Sequence, residues 1–330
     1  MAIAFRRLVL FTTCFAFIVI VVGAYVRLED AGLGCPDWPG CYGQLIGVPQ
    51  QDHELARAKE KFERTVDVGR ARKEMFHRYL AGTLGLLILA IAIVAWRRGA
   101  VLGQSPFLAT ALVVLVAFQA ALGKWTVTML LKPVIVTLHL LGGMATLGLL
   151  TWLALRQLPL KTLEAESAGR LRPWAGVALV VLIIQIALGG WVSANYAALA
   201  CVDFPACGGK WLPQMDFRHA FHLVRELGET AAGTPLSHEA LTAIQWTHRL
   251  GALITLTVAG GVALVALRAP ALRFHGLALL ALLVVQIGLG IANVVFRLPL
   301  ALAVAHNAVA ALLLAALVVL NFALSLKSPR

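Results

Sequence analysis

Eight apolar runs restrict the fold of this chain more than any motif in it. They lie near residues 8–28, 74–96, 106–131, 133–156, 173–196, 240–267, 272–296 and 299–324. Each is about 20 residues or longer, enough for a helix to cross the ~30 Å hydrocarbon core of a bilayer. A backbone in that medium must satisfy its own hydrogen bonds, so the runs predict helices. The first run follows Arg6 and Arg7 as a signal peptide would. It is too long for one, and Arg27 stands where small cleavage-site residues belong, so it counts as a span. With 60% hydrophobic and 13% charged residues among 330, the expected class is an all-α integral membrane protein with eight transmembrane helices. An even number of spans puts both termini on one side.

The net charge of +12 would suggest nucleic acid in a soluble protein. Here it reads as membrane topology, with lipid and no nucleic acid as the partner. Arg6, Arg7, Arg97, Arg98, Arg156, Lys161, Arg170, Arg172, Arg268, Arg273, Lys327 and Arg330 all fall on the side of the termini. The positive-inside rule makes that side cytoplasmic. The long loop 29–73 on the other face also carries basic residues, but mixes them with acids. Of five cysteines, Cys14 sits alone in a span and reads as packing, while Cys35/Cys41 and Cys201/Cys207 both fall on the outer face. That compartment is oxidising in bacteria and permits disulfides. The expected location is the bacterial plasma (inner) membrane, with extracytoplasmic cysteine loops.

The chain also repeats itself. At an offset of 166, Gly23 meets Gly189, Cys35 meets Cys201, Asp37 meets Asp203, Pro39 meets Pro205 and Cys41 meets Cys207. At 167, the segment Gln119–Gly123 meets Gln286–Gly290, and His139 meets His306. At 171, His77 meets His248. A series in this order implies two tandem, pseudo-symmetric four-helix bundles facing the same way. The basic loop 157–172 divides them, giving an N-terminal bundle 1–160 and a C-terminal bundle 161–330. Residues 51–73 are expected to form a solvated surface helix with Asp52 as its cap.

Four membrane-embedded histidines occupy matched positions: His77, His139, His248 and His306. They fall on the second and fourth helix of each unit, about 5–12 Å in from the outer end at 1.5 Å per residue. Two imidazoles opposed at one depth are what axial ligation of a haem iron requires. Gly82, Gly142, Gly143 and Gly251 are the small residues expected beside a flat macrocycle. The alternative is hydrogen-bonded packing histidines; zinc would want more ligands per site. Arg78 and Arg249 each follow a histidine and suit haem propionates, or else snorkel to the interface.

The two copies differ at one place. Glu74-x-x-His-Arg in the first unit becomes Gln245-x-x-His-Arg in the second. A carboxylate in a partly apolar pocket can act as a general base, and an amide cannot. The second unit would then hold a permanent redox haem, and the first the molecule being changed. The plainer alternative for Glu74 is an ion pair with Arg78 four residues on.

These residues together resemble the haem A synthase family over essentially the whole length. The resemblance implies an oxidoreductase that converts the C8 methyl of haem O to a formyl group by successive hydroxylations, with water as the oxygen source, giving haem A for terminal oxidases. It implies a haem b cofactor between His248 and His306, haem O near His77 and His139, and Glu74 as the catalytic group. The implied partners are the haem O synthase (protohaem farnesyltransferase) and an unidentified electron acceptor. The cysteine pairs would brace the outer loops or pass electrons outward. The rival of another class is a di-haem b-type membrane cytochrome for electron transfer, in which Glu74 would be dispensable.

Overall fold

A computed structural model describes residues 2–102, 104–158 and 165–326. The chain is about 74% helical, with no strand among the described residues. Eight helices are long and apolar enough to cross a membrane. They are α1 (Ala2–Leu28), α3 (Val68–Leu102), α4 (Phe107–Thr128), α5 (Pro133–Leu155), α6 (Ala165–Ala194), α8 (His238–Arg268), α9 (Arg273–Val295) and α10 (Leu300–Ser325). Two short helices, α2 (Asp52–Phe62) and α7 (Phe217–Ala220), lie in the long loops. Buried hydroxyls within the spans donate back to the carbonyl four residues earlier, as at Thr12, Thr146, Thr151 and Thr255. That satisfies these hydroxyl donors in an apolar medium.

Several boundaries differ from the sequence expectation. The second span, expected over 74–96, belongs to a helix that starts at Val68 and ends at Leu102. Its polar first turns stand above the apolar stretch, where the Asp67 carboxylate accepts the Arg70 N–H at 3.0 Å. The surface helix expected over 51–73 therefore ends at Phe62, where Glu63 turns the chain at φ 50°. Its first turn is capped by Glu54 rather than Asp52: the Glu54 carboxylate accepts the N–H groups of Gln50 and Gln51 at 2.9 and 3.1 Å. The proposed boundary at 160/161 lies outside the described residues.

Within the first unit, α1 packs on α3, α3 on α4, α4 on α5, and α5 back on α1. The second unit closes the same way through α6, α8, α9 and α10. Each unit is a square, and its histidine-bearing helices, α3 with α5 and α8 with α10, stand on the diagonal. The squares meet through α1 against α10, α5 against α6, and α5 against α10. One apolar core runs through both, with Val9, Leu112, Leu150, Leu313, Leu317 and Leu320 almost wholly buried.

The sequence repeat recurs in the turns. Asp30 and Tyr196, 166 apart, both adopt positive φ (51° and 53°) just past the first helix of each unit. Leu130 and Leu131 match Arg297 and Leu298, 167 apart, all four at positive φ. Leu131 N–H donates to Thr126 O at 2.8 Å, and Leu298 N–H to Asn293 O at 2.7 Å. Non-glycine residues pay steric energy there, so one backbone path is imposed twice by the same hydrogen bonds. Each turn starts the helix that carries His139 or His306.

Candidate functional site

Each of the four imidazoles lies against a glycine of the next helix in its square. A Cβ built on Gly23 of α1 would fall 2.8 Å from His77 Cε1, and one on Gly189 of α6 would fall 3.1 Å from His248 Cε1. On Gly123 of α4 it would fall 3.5 Å from His139 Cε1, and on Gly290 of α9, 3.2 Å from His306 Cε1. Three of these distances are closer than ordinary contact, so the glycines set where the rings stand. The small residues expected beside the site have other roles. Gly142 and Gly251 lie against the amides of Gln119 and Gln185, Gly143 faces Ile20, and Gly82 faces open space. The glycines that matter stand on the neighbouring helices, at positions the repeat had already paired.

His77 on α3 stands across its square from His139 on α5, and His248 on α8 across its own from His306 on α10. Along the helix axes they sit about 14, 9, 15 and 9 Å from the helix starts at 1.5 Å per residue. Two of these depths exceed the expected 5–12 Å, because α3 and α8 begin above the apolar stretch. All four residues keep partial exposure inside the bundle. Nδ1 of His77, His139 and His306 is sealed off without a hydrogen-bond partner, so that exposure lies elsewhere on the residue. In the second unit Gln185 Nε2 reaches His248 Nδ1 at 3.1 Å, and Gln286 Nε2 reaches His306 Nε2 at 3.3 Å. Opposed, partly accessible imidazoles on diagonal helices are a donor set that fits a haem iron in each unit. No group of three or more metal-ligating side chains occurs among the described residues, which does not suit a structural zinc site.

Above the rings sit the two cysteine loops, built alike. Both pairs, Cys35–Cys41 and Cys201–Cys207, are disulfide-bonded. Asp37 accepts the N–H groups of Tyr42 and Gly43 at 2.6 and 2.7 Å, and Asp203 those of Gly208 and Gly209 at 2.7 and 2.9 Å. Gly34 packs so closely on α3 that a Cβ there would meet the Arg70 carbonyl carbon at 2.6 Å.

The arginines hold these loops down. Arg78 donates to the carbonyls of Asp37 at 2.8 Å and Gly40 at 2.5 Å. Arg249 donates to Ala206 O at 2.8 Å and Cys201 O at 2.9 Å. Glu74, 5% exposed, accepts the Cys35 N–H at 2.8 Å and pairs with Arg78 at 2.5 Å. The ion pair weighed from spacing is therefore present, with a loop amide added. Gln245 at the matching place is equally buried, and its Oε1 has no partner. The loops could not be assigned as the arginines' partners from sequence, because carbonyl acceptors carry no residue signature.

Fold and site together define an all-helical membrane protein with two four-helix squares, each offering a pair of opposed imidazoles. The family model for cytochrome oxidase assembly proteins (COX15-CtaA) matches residues 6–318, and the chain belongs to that family. It is 45% identical to a haem A synthase of Shewanella oneidensis over 319 residues, covering 96% of each chain. It is 28% identical to a haem A synthase of Rhizorhabdus wittichii over 334 residues, covering 95% of this chain and 92% of that one. A third haem A synthase, from Nitrosospira multiformis, is 29% identical over 340 residues, covering 94% and 91%. Membership of this family does not favour a purely electron-transferring cytochrome.

Proposed function

We propose that this protein converts haem O to haem A for terminal oxidases, oxidising the C8 methyl group to a formyl group by successive hydroxylations. Each hydroxylation would take its oxygen from water and release two protons and two electrons, and loss of water from the second product would leave the aldehyde. The observation that carries this is the paired imidazoles in both squares with a carboxylate beside the first pair alone. His77 and His139 would hold the substrate, and Glu74 would accept protons from the reacting water. The Cys35 N–H and Arg78 keep that carboxylate in place against the loop. His248 and His306 would ligate a haem b, with the Gln185 amide orienting the His248 ring. A haem held there supplies one-electron chemistry and so a way to draw electrons from the substrate.

Arg78 and Arg249 would meet propionates only by sharing donors with the loop carbonyls they hold; Arg249 Nε is buried and free of protein partners. The disulfides brace the loops over the two sites. The protein would lie in the bacterial inner membrane with both termini cytoplasmic and the cysteine loops outside, as the basic segments support. The haem O synthase is the natural supplier of substrate.

Haem extraction and chromatography from cells producing wild-type or Glu74→Gln protein tests the proposal. Wild type should yield haem B with haem A or its hydroxylated precursor. E74Q should keep haem B and lose haem A, a fall of about 10²–10⁴-fold in turnover for loss of a general base. Unchanged haem A in E74Q would remove Glu74 from the mechanism.

A further inference from the structure

A groove of about 500 Å³ runs between α1, α3 and α10. Val22, Val26, Phe76 and Val304 line its apolar length, and Arg72 and Lys73 stand at its rim. Two of its lining residues are chain neighbours of the first site: Val22 precedes Gly23 and Phe76 precedes His77, the two residues in closest contact there. Phe76 is 55% exposed.

The repeat provides an internal comparison. At the matching offsets Tyr25 becomes Trp191, Arg72 becomes Ala243, Lys73 becomes Ile244, and Val304 becomes Thr137. There the same seam is shut. Trp191 and Ile244 are 5% and 1% exposed, in one cluster with Ala220 and Ala243. The Trp191 indole N–H donates to Ala220 O at 2.9 Å, and Arg225 stacks 5.5 Å from the Trp191 ring. The first site thus has an open flank toward lipid, and the second has that flank filled and capped. A resident cofactor needs no such opening, and an exchanging substrate does.

Lipid tails are as apolar as any ligand chain, so an apolar groove by itself selects nothing in a bilayer. The rim supplies the selection. Lys73 pairs with Glu29, while Arg72 bonds the neutral Gln50 amide and has no acidic partner among the described residues. A groove of this size, in the range of about 300–1,000 Å³ typical of ligand sites, suits an amphiphile with a long apolar chain and carboxylates.

We propose that the α1–α3–α10 groove is the lateral entrance of the first site, admitting an isoprenoid-tailed, dicarboxylate porphyrin from the bilayer. Its chain lies along Val22, Phe76 and Val304, and its carboxylates meet Arg72. This rests on the functional reading above, with haem O as the ligand.

The test is haem A formation by purified protein in liposomes at graded haem O concentrations, with haem B content measured alongside. Val304→Trp, which fills the groove from α10, should raise KM for haem O about tenfold. It should leave kcat and haem B per protein unchanged. Val22→Phe, from the opposite wall, should act alike and covers the case in which V304W does not fold. Arg72→Gln should raise KM severalfold. A wild-type KM in V304W and V22F, both retaining haem B, would overturn the entrance. So would loss of co-purifying phospholipid with KM unchanged, which would make the groove a lipid seat. Wild type that forms no haem A would instead overturn the functional reading itself.

Discussion

At the residue scale, three glycines, Gly23, Gly189 and Gly290, decide where the imidazoles of His77, His248 and His306 stand. A methyl group on Gly189 would press on His248 Cε1 at 3.1 Å, so the ring or the helix must shift. Overpacking of this kind costs about 1–3 kcal/mol. Gly189→Ala should lower haem B per purified protein, read from the Soret band. Gly82→Ala, which faces open space, should not. Equal haem content in both would mean that the glycine contacts are incidental. Sequence reading found the histidines because ionisable groups in a span are few. It passed over Gly23, Gly189 and Gly290 as ligand-setting residues, because a glycine announces no partner. Their pairing across the repeat was the available signal.

At the scale of the element, the cysteine loops act as lids pinned at two points, by Arg78 or Arg249 below and by an aspartate within. The Asp203 carboxyl is held below the ordinary carboxylate range by the Gly209 and Gly208 N–H groups it accepts from. Its pKa is lower folded than unfolded, so its contribution is complete above the usual carboxylate pKa. It is lost as pH falls through the lowered value. Exchange of the Gly208 and Gly209 amides should therefore accelerate in acid, and Asp203→Asn should give faster exchange at neutral pH. Exchange independent of pH after correction for intrinsic rates would remove the aspartate from the loop's stability. Elsewhere, Gly276 lets α9 approach α8 backbone to backbone: a Cβ would meet Ala263 O at 2.7 Å, and no side chain can swing away to relieve it. Gly276→Ala should lower the Tm in detergent, where Gly261→Ala, with nothing near, should not.

At the scale of the whole molecule, polar contacts tie the units together on the face that carries the cysteine loops, among them the Tyr196 hydroxyl donating to Asp30 at 2.8 Å. Arg27 of the first donates to Tyr196 Oη at 2.9 Å and Ser193 O at 2.8 Å in the second. Lys132 pairs with Glu226 at 2.7 Å. Hydrogen bonds to a charged group contribute about 1.5–3 kcal/mol where they are shielded, and Arg27 is mostly shielded. Arg27→Ala should lower the Tm and expose the seam to proteolysis. Lys132→Ala, whose partner is exposed, should do so less. An identical Tm in both variants and wild type would show that neither Arg27 nor Lys132 holds the squares together.

The sequence by itself determined the eight spans, the tandem repeat, the four paired histidines and the Glu74/Gln245 difference. These follow from apolar length, from periodic spacing and from residue chemistry, all of which are local. Tertiary structure alone decided that each unit closes as a square, that Arg78 and Glu74 close on a loop some forty residues earlier, and that a groove opens between α1, α3 and α10 where the matching seam of the second unit is filled. Each of these depends on which backbone approaches which, and a carbonyl, a glycine or a filled crevice is recognisable only once its neighbour stands beside it.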